Sequence, residues 1–494
     1  MCHRPTACLQ KNRRDGVAGS PNKKFRCLPL RGRAREDNLD QPKNATASQT
    51  NAASAGAENP KAVPGRVPAS AWLMLVVLTA IFVLSFIDRS SLSLVVGPIK
   101  KQFGVSDLQM SLLLGVSFVL FYSVVSIPAG YLVDRFSRRG VIGWAVFAWS
   151  SMTVLCGLTK NYFQLFLCRA GIGIGEAALQ PAAYSMIRDA FPPDRRGRAF
   201  GIYQMGPMVG VGFSLFVGGW LLKLSEGGAV AQVPWLGSLL PWQFVVVVPG
   251  LIGLPFAALM LILREPLRSA QPQAAVGGWA AYREALRHLA GEWRVYAPLW
   301  IAATLYAMAI SGFNAWAPTA VARTWDIPLS TVGRTMGPLM MVSVPLGLFF
   351  FGMVMDRLSK KGRRAAPLEV AGSSVIVACV ATALLAFVDS PSIAIALYVC
   401  HTFFASPVPS SAGATMAQIT PSPLMGRLTS VFFLVQNLLG LALGPTMVTL
   451  FAYPYGDDPS ALRYGAVTLY GTCTALVAVM YAITARRVRA RSFE

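Results

Sequence analysis

Asp88 and Arg89 stand side by side in the apolar stretch "SFIDRSSLSLVV", Ser85–Val96. A second acid and base, Glu176 and Arg169, lie in "LCRAGIGIGEAALQPAAYSMIRDAF", Leu167–Phe191. An ionised side chain at the centre of a membrane helix costs at least about 2.5–3.5 kcal/mol on insertion scales, so it needs a partner, water or a task. Burial favours the neutral form of a carboxyl group, and an adjacent guanidinium favours the ionised form. A carboxyl group that changes guanidinium partner therefore takes up and releases a proton. Such chemistry assigns Asp88 and Glu176 to proton coupling. Arg89 and Arg169 then hold anionic groups of a solute or exchange partners with the acids. The four charges cancel when all are ionised, and protonating both acids leaves a positive site that favours an anionic head group. The alternative is a permanent salt-bridge lock between the two segments.

The elements that must position these groups are long apolar runs. The chain has 494 residues, 54% hydrophobic and 13% charged, with mean hydropathy +0.50. A soluble chain carries about 25% charged residues. Runs near 20 residues cross a hydrocarbon layer of about 30 Å, and transmembrane strands would alternate in ten-residue segments instead. The fold class expected is an all-α polytopic membrane protein. Twelve spans are expected at 71–99, 108–133, 141–159, 162–191, 198–222, 242–263, 295–321, 329–355, 366–388, 392–419, 425–451 and 464–485. At 1.5 Å per residue, Asp88 lies roughly 25 Å from the start of span 1, and Glu176 roughly 22 Å from that same side. Arg169 is two turns from Glu176 on the same face of span 4. Asp88, Arg89 and Glu176 thus share one layer near mid-membrane.

Formal net charge is +22, which in a soluble protein suggests a nucleic-acid partner. Here Lys and Arg gather in the tails and alternate loops: Arg135, Arg138 and Arg139; Arg188, Arg195, Arg196 and Arg198; Arg357, Lys360, Lys361, Arg363 and Arg364; Arg486, Arg487, Arg489 and Arg491. The opposite loops carry little, Lys160 and Asp389. The pattern follows the positive-inside rule, so both termini are expected in the cytoplasm, with no nucleic-acid partner. Residues 1–68 are polar and basic and are expected to be a disordered tail, with no signal peptide. Residues 266–293 form the expected linker, in which "WAAYREALRHLAGEW" spaces Trp279, Tyr282, Leu286, Leu289 and Trp293 as one helix face. It is either an amphipathic helix on the inner leaflet or a soluble linker helix. The remaining divisions are a bundle over 69–265, a bundle over 294–487 and a basic tail over 488–494. No CxxC pair occurs, and the three His are scattered, so no metal or other cofactor is expected. Nothing assembles a nucleophile with its base, so no enzyme is expected.

"GYLVDRFSRRG" at Gly130–Gly140 returns as "GMVMDRLSKKG" at Gly352–Gly362, 222 positions later, after spans 2 and 8. A weaker echo pairs Gly197-Arg198 with Gly426-Arg427, opening spans 5 and 11. Six spans therefore repeat as six, giving two pseudo-symmetric six-helix bundles. A site between such halves near the midplane is transporter architecture. In these motifs the chain resembles the major facilitator superfamily over roughly residues 70–487. Ser137 and Ser359 replace a glycine usual in the motif. The resemblance implies a secondary transporter alternating between inward-open and outward-open states. Gly130, Asp134, Arg135, Arg139, Asp356, Arg357, Arg198 and Arg427 then form a gating latch, with Gly130 and Gly352 permitting tight helix packing. Arg138, Lys360 and Lys361 are expected only to fix topology.

The span 4 stretch, with "FIDRSS", "DRRGRAFGIY" and "WQFVVVVPGLIGLPFAALMLILREP", is similar to the spinster branch, linked to lysophospholipid and sphingolipid transport. The resemblance implies proton-coupled movement of an amphipathic or organic-anion solute, lysolipid-like, across a bacterial inner membrane. A small organic acid symporter, a non-transporting ligand sensor and a lipid scramblase are the alternatives. Tyr122, Gln180, Tyr203, Asn314, His401 and Gln436 are further candidates for substrate contact or charge partnership, and His401 can equally serve packing. Spans 7 to 12 offer no mid-span carboxylate, and an apolar wall facing a charged one suits an amphipath. "GPMVG" at Gly206–Gly210 partly resembles an antiporter pattern, and a Pro-kinked helix accounts for it equally well.

Overall fold

The computed structural model describes residues 67–227, 236–268 and 278–490. Residues 1–66 of the expected 1–68 tail, residues 269–277 of the expected linker, residues 228–235 and 491–494, and the side chain of Trp279 lie outside them. The described residues form helices joined by turns, with no strand. Eleven segments are long and apolar enough to cross a membrane. The remaining crossing, span 4, is two shorter helices, Tyr162–Glu176 and Leu179–Ala190.

The break in span 4 has a local cause. Pro181 has no N–H to give the carbonyl of Ala177, and its ring crowds that carbonyl. The helix therefore stops directly after Glu176. Span 10, the counterpart of span 4 in the repeat, breaks in the same way between Pro391–Ala405 and Val408–Ile419. There Pro409 frees the carbonyl of Ala405, and the Tyr306 hydroxyl donates to it at 2.7 Å. A freed backbone group at membrane depth needs such a partner. Span 11 carries a π-helical turn, Gln436–Leu441, between Ser422–Val435 and Gly444–Ala452. Span 2 runs as Asp107–Leu114 and Val116–Arg135. Its first turn is fixed by a capping box in which Ser106 and Gln109 bond each other's backbone N–H.

The other spans are Ala69–Leu94, Arg138–Gly157, Pro193–Glu226, Pro241–Ile262, Trp293–Trp325, Leu329–Lys360, Ala366–Leu384 and Ala461–Ala490. Gly278–Gly291 forms a separate helix before span 7. Ala285 on it is buried, whereas Tyr282, Leu286 and the following Trp293 are exposed.

The halves meet closely on the side opposite the basic loops. Span 5 crosses span 8 on bare backbone: a Cβ at Gly333 would lie 2.5 Å from the Leu215 carbonyl oxygen, and one at Gly337 2.6 Å from that of Gly212. Small residues let helices approach this way where lipid supplies no hydrophobic drive. Span 2 meets span 11 at Gly115, whose Cβ would reach the carbonyl of Ala442. Ser111 also lies 3.3 Å from Thr449. Thr319 donates to the Ser93 carbonyl at 3.3 Å. Asp107 receives both Arg323 Nη1 and Nη2 at 3.0 Å and Lys100 at 3.0 Å.

Candidate functional site

Glu176 ends the first half of span 4, and its Oε2 accepts three donors. Arg89 Nε lies at 2.7 Å, Arg89 Nη2 at 2.5 Å and Ser85 Oγ at 2.7 Å. Arg89 and Ser85 are four residues apart on span 1, one turn, so they present to one point. The Arg89 guanidinium also lies over Phe118, Phe86 and Tyr122, at 4.5, 4.9 and 5.0 Å from their ring centroids. Aromatic faces attract a cation, and more strongly once it is desolvated. The side chain of Arg89 keeps 24% of its surface exposed, while that of Glu176 has none.

Asp88 turns elsewhere. It is 1% exposed, its neighbours are Trp149 and Thr153 of span 3 with Arg169 and Glu176 of span 4, and neither carboxyl oxygen accepts a hydrogen bond among the described residues. Arg169 is as deeply buried. It donates to the backbone carbonyls of Asp88 at 3.1 Å and Arg89 at 3.4 Å, and lies 5.6 Å from the Phe118 centroid. Arg169 Nε, Glu176 Oε1 and Trp149 Nε1 remain without hydrogen bonds among the described residues. Buried polar groups ordinarily find partners. Five atoms without such partners among the described residues, both carboxyl oxygens of Asp88 included, sit in one acid–base cluster. The glycines of span 4 make it possible: a Cβ at Gly173 would lie 2.5 Å from the Phe118 carbonyl oxygen, so spans 2 and 4 close on each other beside the cluster.

The further candidates are dispersed. Tyr122 shares the Arg89 cluster. Tyr203 is fully buried and stacked on Phe82 at 4.6 Å. Gln180, half-buried, sits just beyond the span 4 break. Asn314 accepts from the Tyr398 hydroxyl at 3.2 Å, and Gln436 donates to the Ala303 carbonyl at 3.3 Å, both inside the second half. His401 is fully buried, with Phe313 at 4.5 Å and Tyr470 at 4.4 Å between ring centroids. Thr382 uses its hydroxyl hydrogen on the Ala378 carbonyl. Its oxygen, 2.8 Å from His401 Nδ1, therefore accepts from that nitrogen, which assigns the Nδ1–H tautomer.

Among the described residues, no side-chain hydrogen bond or ion pair joins the residues expected to form the latch to one another. The carboxylates of Asp134 and Asp356 form no hydrogen bond or ion pair among the described residues. Arg135 reaches Tyr131 at 2.9 Å, Arg139 the Leu263 carbonyl at 3.1 Å, and Arg427 lies 4.0 Å from Glu284. Arg198 and Arg357 are exposed. Gly130 and Gly352 are not in tight packing here, since a Cβ at either would meet nothing within 4 Å. Arg138, expected only to fix topology, is 1% exposed. It bonds Asp189 at 2.5 Å, Glu265 at 2.9 Å, Ser185 at 3.0 Å and the Pro266 carbonyl at 2.7 Å, joining spans 3, 4 and 6. Arg268 then clasps the span 2–3 loop, donating to the carbonyls of Val133 at 2.9 Å, Phe136 at 2.5 Å and Asp134. Sequence reasoning missed Ser85, Phe118 and Arg138. Ser85 was legible as the residue one turn before Arg89; Phe118 carries no signal of its own.

A family model described as the Major Facilitator Superfamily matches residues 78–445. The chain belongs to that superfamily. Among curated relatives in it, an MFS-type efflux pump of Mycolicibacterium smegmatis is 26% identical over 429 residues, 85% of this chain and 94% of the pump. The sphingosine-1-phosphate transporter of Danio rerio is 28% identical over 343 residues, 64% of this chain and 63% of that protein. A bacterial homolog of the human lysosomal transporter Spinster, solved in an inward-facing and occupied conformation, superposes with a TM-score of 0.72 at 24% identity. The match covers 86% of this chain and 98% of that one. This superfamily member is thus an integral membrane transporter of spinster-like type and not an enzyme.

Proposed function

We propose that the chain is a proton-coupled secondary transporter of amphipathic or organic-anion solutes, lysolipid-like, working by alternating access. One observation carries this most directly. Of the four charged groups in the cluster, Arg89 alone keeps solvent contact, and its counter-ion Glu176 is sealed behind it. Protonating Glu176 removes the charge that holds the guanidinium and leaves Arg89 free for an anionic head group. Arg89 returning to Glu176 favours loss of that proton. The rings of Phe86, Phe118 and Tyr122 keep the guanidinium in place during the exchange. Asp88, without a hydrogen bond and beside Arg169, serves as the second proton acceptor, and Arg169 fixes the backbone of the Asp88–Arg89 pair. The residues of the repeated loop act as a latch that engages when the opposite side opens. The chain sits in a bacterial inner membrane with its basic side and both termini in the cytoplasm, and the present state is open to that side.

The test is uptake of anionic lysolipid into liposomes under an imposed pH gradient. Glu176→Gln and Asp88→Asn are expected to abolish the dependence on the gradient while leaving binding intact. Unchanged proton dependence in both variants would overturn the coupling assignment. Binding with no flux in the unmodified protein would make it a sensor, and flux indifferent to any gradient a scramblase.

A further inference from the structure

A second feature lies on the other side of span 4 from the charged cluster. The basic-side halves of spans 2, 3 and 4 enclose an apolar groove of about 540 Å³. That is within the 300–1,000 Å³ of ordinary ligand pockets. Its rim carries Leu132, Phe136, Trp144 and Ile174, all exposed. Its floor includes Ala129 and Ala178. On span 2 it runs from Val125 to Phe136, roughly 16 Å of helix rise. Half of a hydrocarbon layer of about 30 Å is the same length, so the groove covers one leaflet.

The floor of the groove is also the back wall of the charged cluster. Ala129, Ala177 and Ala178 pack together, and Tyr122 packs against them. The ring of Tyr122 in turn lies 5.0 Å from the Arg89 guanidinium. Ala177 follows Glu176 in the chain, at the break that Pro181 imposes on span 4. One tyrosine and three methyl-sized side chains therefore stand between the half-buried guanidinium and an apolar channel one leaflet long. Beyond Ser137 and the Trp144 indole, a polar solute would find no side chain to hold it in such a channel, while one hydrocarbon chain fits both its chemistry and its length.

We infer that this groove between spans 2, 3 and 4 receives the acyl chain of a single-chain amphipathic cargo whose anionic head group is held at Arg89. The inference rests on the amphipathic-cargo proposal and adds the path of the tail. The tail leaves the cluster past Tyr122 and Ala178 and enters the leaflet on the basic side through Leu132 and Trp144.

The experiment uses the full chain in phosphatidylcholine liposomes and tetradecanoyl lysophosphatidylglycerol with a photoreactive diazirine at the end of its chain. Adducts are expected on peptides covering 129–145, and unlabelled tetradecanoyl lysophosphatidylglycerol should suppress them. Adducts confined to spans 7 and 10 would place the tail in the other half and overturn the inference. Adducts spread over the lipid-facing helices and indifferent to competitor would mark the groove as a seat for bilayer phospholipid, which also overturns it. In parallel, Ala145→Phe and Ile174→Trp narrow the groove, the first from beside its floor and the second from its exposed rim. Uptake of the tetradecanoyl compound should fall at least tenfold, with the hexanoyl compound within twofold of the unmodified protein. Equal loss for both chain lengths, or no loss, refutes the tail path while leaving lysolipid transport standing. If the unmodified protein moves neither compound, the lysolipid proposal fails, and the tail path with it.

Discussion

The contact between Asp107 and Arg323 is the most accessible handle on the conformational balance. It joins the start of span 2 to the end of span 7 through two hydrogen bonds of 3.0 Å, with Lys100 adding a third contact at 3.0 Å. The side chains keep 27%, 29% and 35% of their surface exposed, so water screens the attraction. Exposed pairs contribute about 0.2–1 kcal/mol, and bidentate Arg–carboxylate geometry lies at the upper end. Asp107→Asn should therefore weaken the seal by about 1 kcal/mol, a factor of about five in the ratio of sealed to open molecules. Arg323→Gln should do the same, and the double variant should add little, because either change already removes the pair. Spin labels at Leu108→Cys and Tyr453→Cys, in a background with the native cysteines replaced by serine, flank the contact between spans 2 and 11. Both sites are exposed. Pulsed electron-spin distance measurements should show the long-distance population rising about fivefold in each single variant. A distribution indifferent to Asp107→Asn and Arg323→Gln would show that the ion pair merely accompanies a seal held by backbone packing.

Backbone packing gives its own prediction. Gly333→Leu places a Cβ 2.5 Å from the Leu215 carbonyl oxygen, which cannot yield, so the same spin pair should report an open state and uptake should fall more than tenfold. Arg138→Ala strips Glu265 of its guanidinium partner and leaves Asp189 with Arg188 at 3.2 Å. Breaking a buried pair from one side costs about 3–5 kcal/mol, and the lower figure is expected here. Thermal melting in detergent checks this, and Arg138→Lys should recover only part, because an ammonium cannot span four acceptors as a fork does. His401→Gln should leave the pH-gradient dependence of uptake unchanged, since the ring is enclosed by Phe313 and Tyr470 and already satisfied at Nδ1 by Thr382.

Hydropathy and the doubled loop carried the twelve-span, two-bundle architecture, because lipid forces each crossing into a continuous apolar run. Interruptions inside a crossing were harder to see. Pro181 and Pro409 were visible in the sequence, but a proline within an apolar run can kink a helix or stop it, and only neighbouring helices decide which. At Pro409 the deciding neighbour is Tyr306, which takes up the freed carbonyl from span 7. Arg138 failed for a related reason. Three arginines in one loop look alike to a charge count, yet Arg138 is the one that faces Asp189 and Glu265 while Arg135 and Arg139 stay exposed. Burial of a loop residue depends on what the loop folds against, here the end of span 6.

The charged cluster marks the same boundary between what spacing dictates and what packing adds. Counting 1.5 Å per residue puts Asp88, Arg89 and Glu176 at one height but assigns no partners. Adjacent residues on a helix point about 100° apart and do not face each other. Asp88 and Arg89 therefore cannot form a pair with one another, and the adjacency that first draws notice separates their roles. Arg89 turns to Glu176 and to the rings of Phe86, Phe118 and Tyr122, while Asp88 turns to Trp149 and Thr153 in the interior. Arg169 then spends its donors on the two backbone carbonyls between those directions. A guanidinium on the carbonyls leaves the Asp88 carboxyl group without a charge-assisted bond, and that is the feature on which its proposed proton role rests. The Arg89–Glu176 pair itself joins spans 1 and 4, so the difference between a permanent lock and a coupling site is whether that pair parts during transport, which the Glu176→Gln uptake test reads.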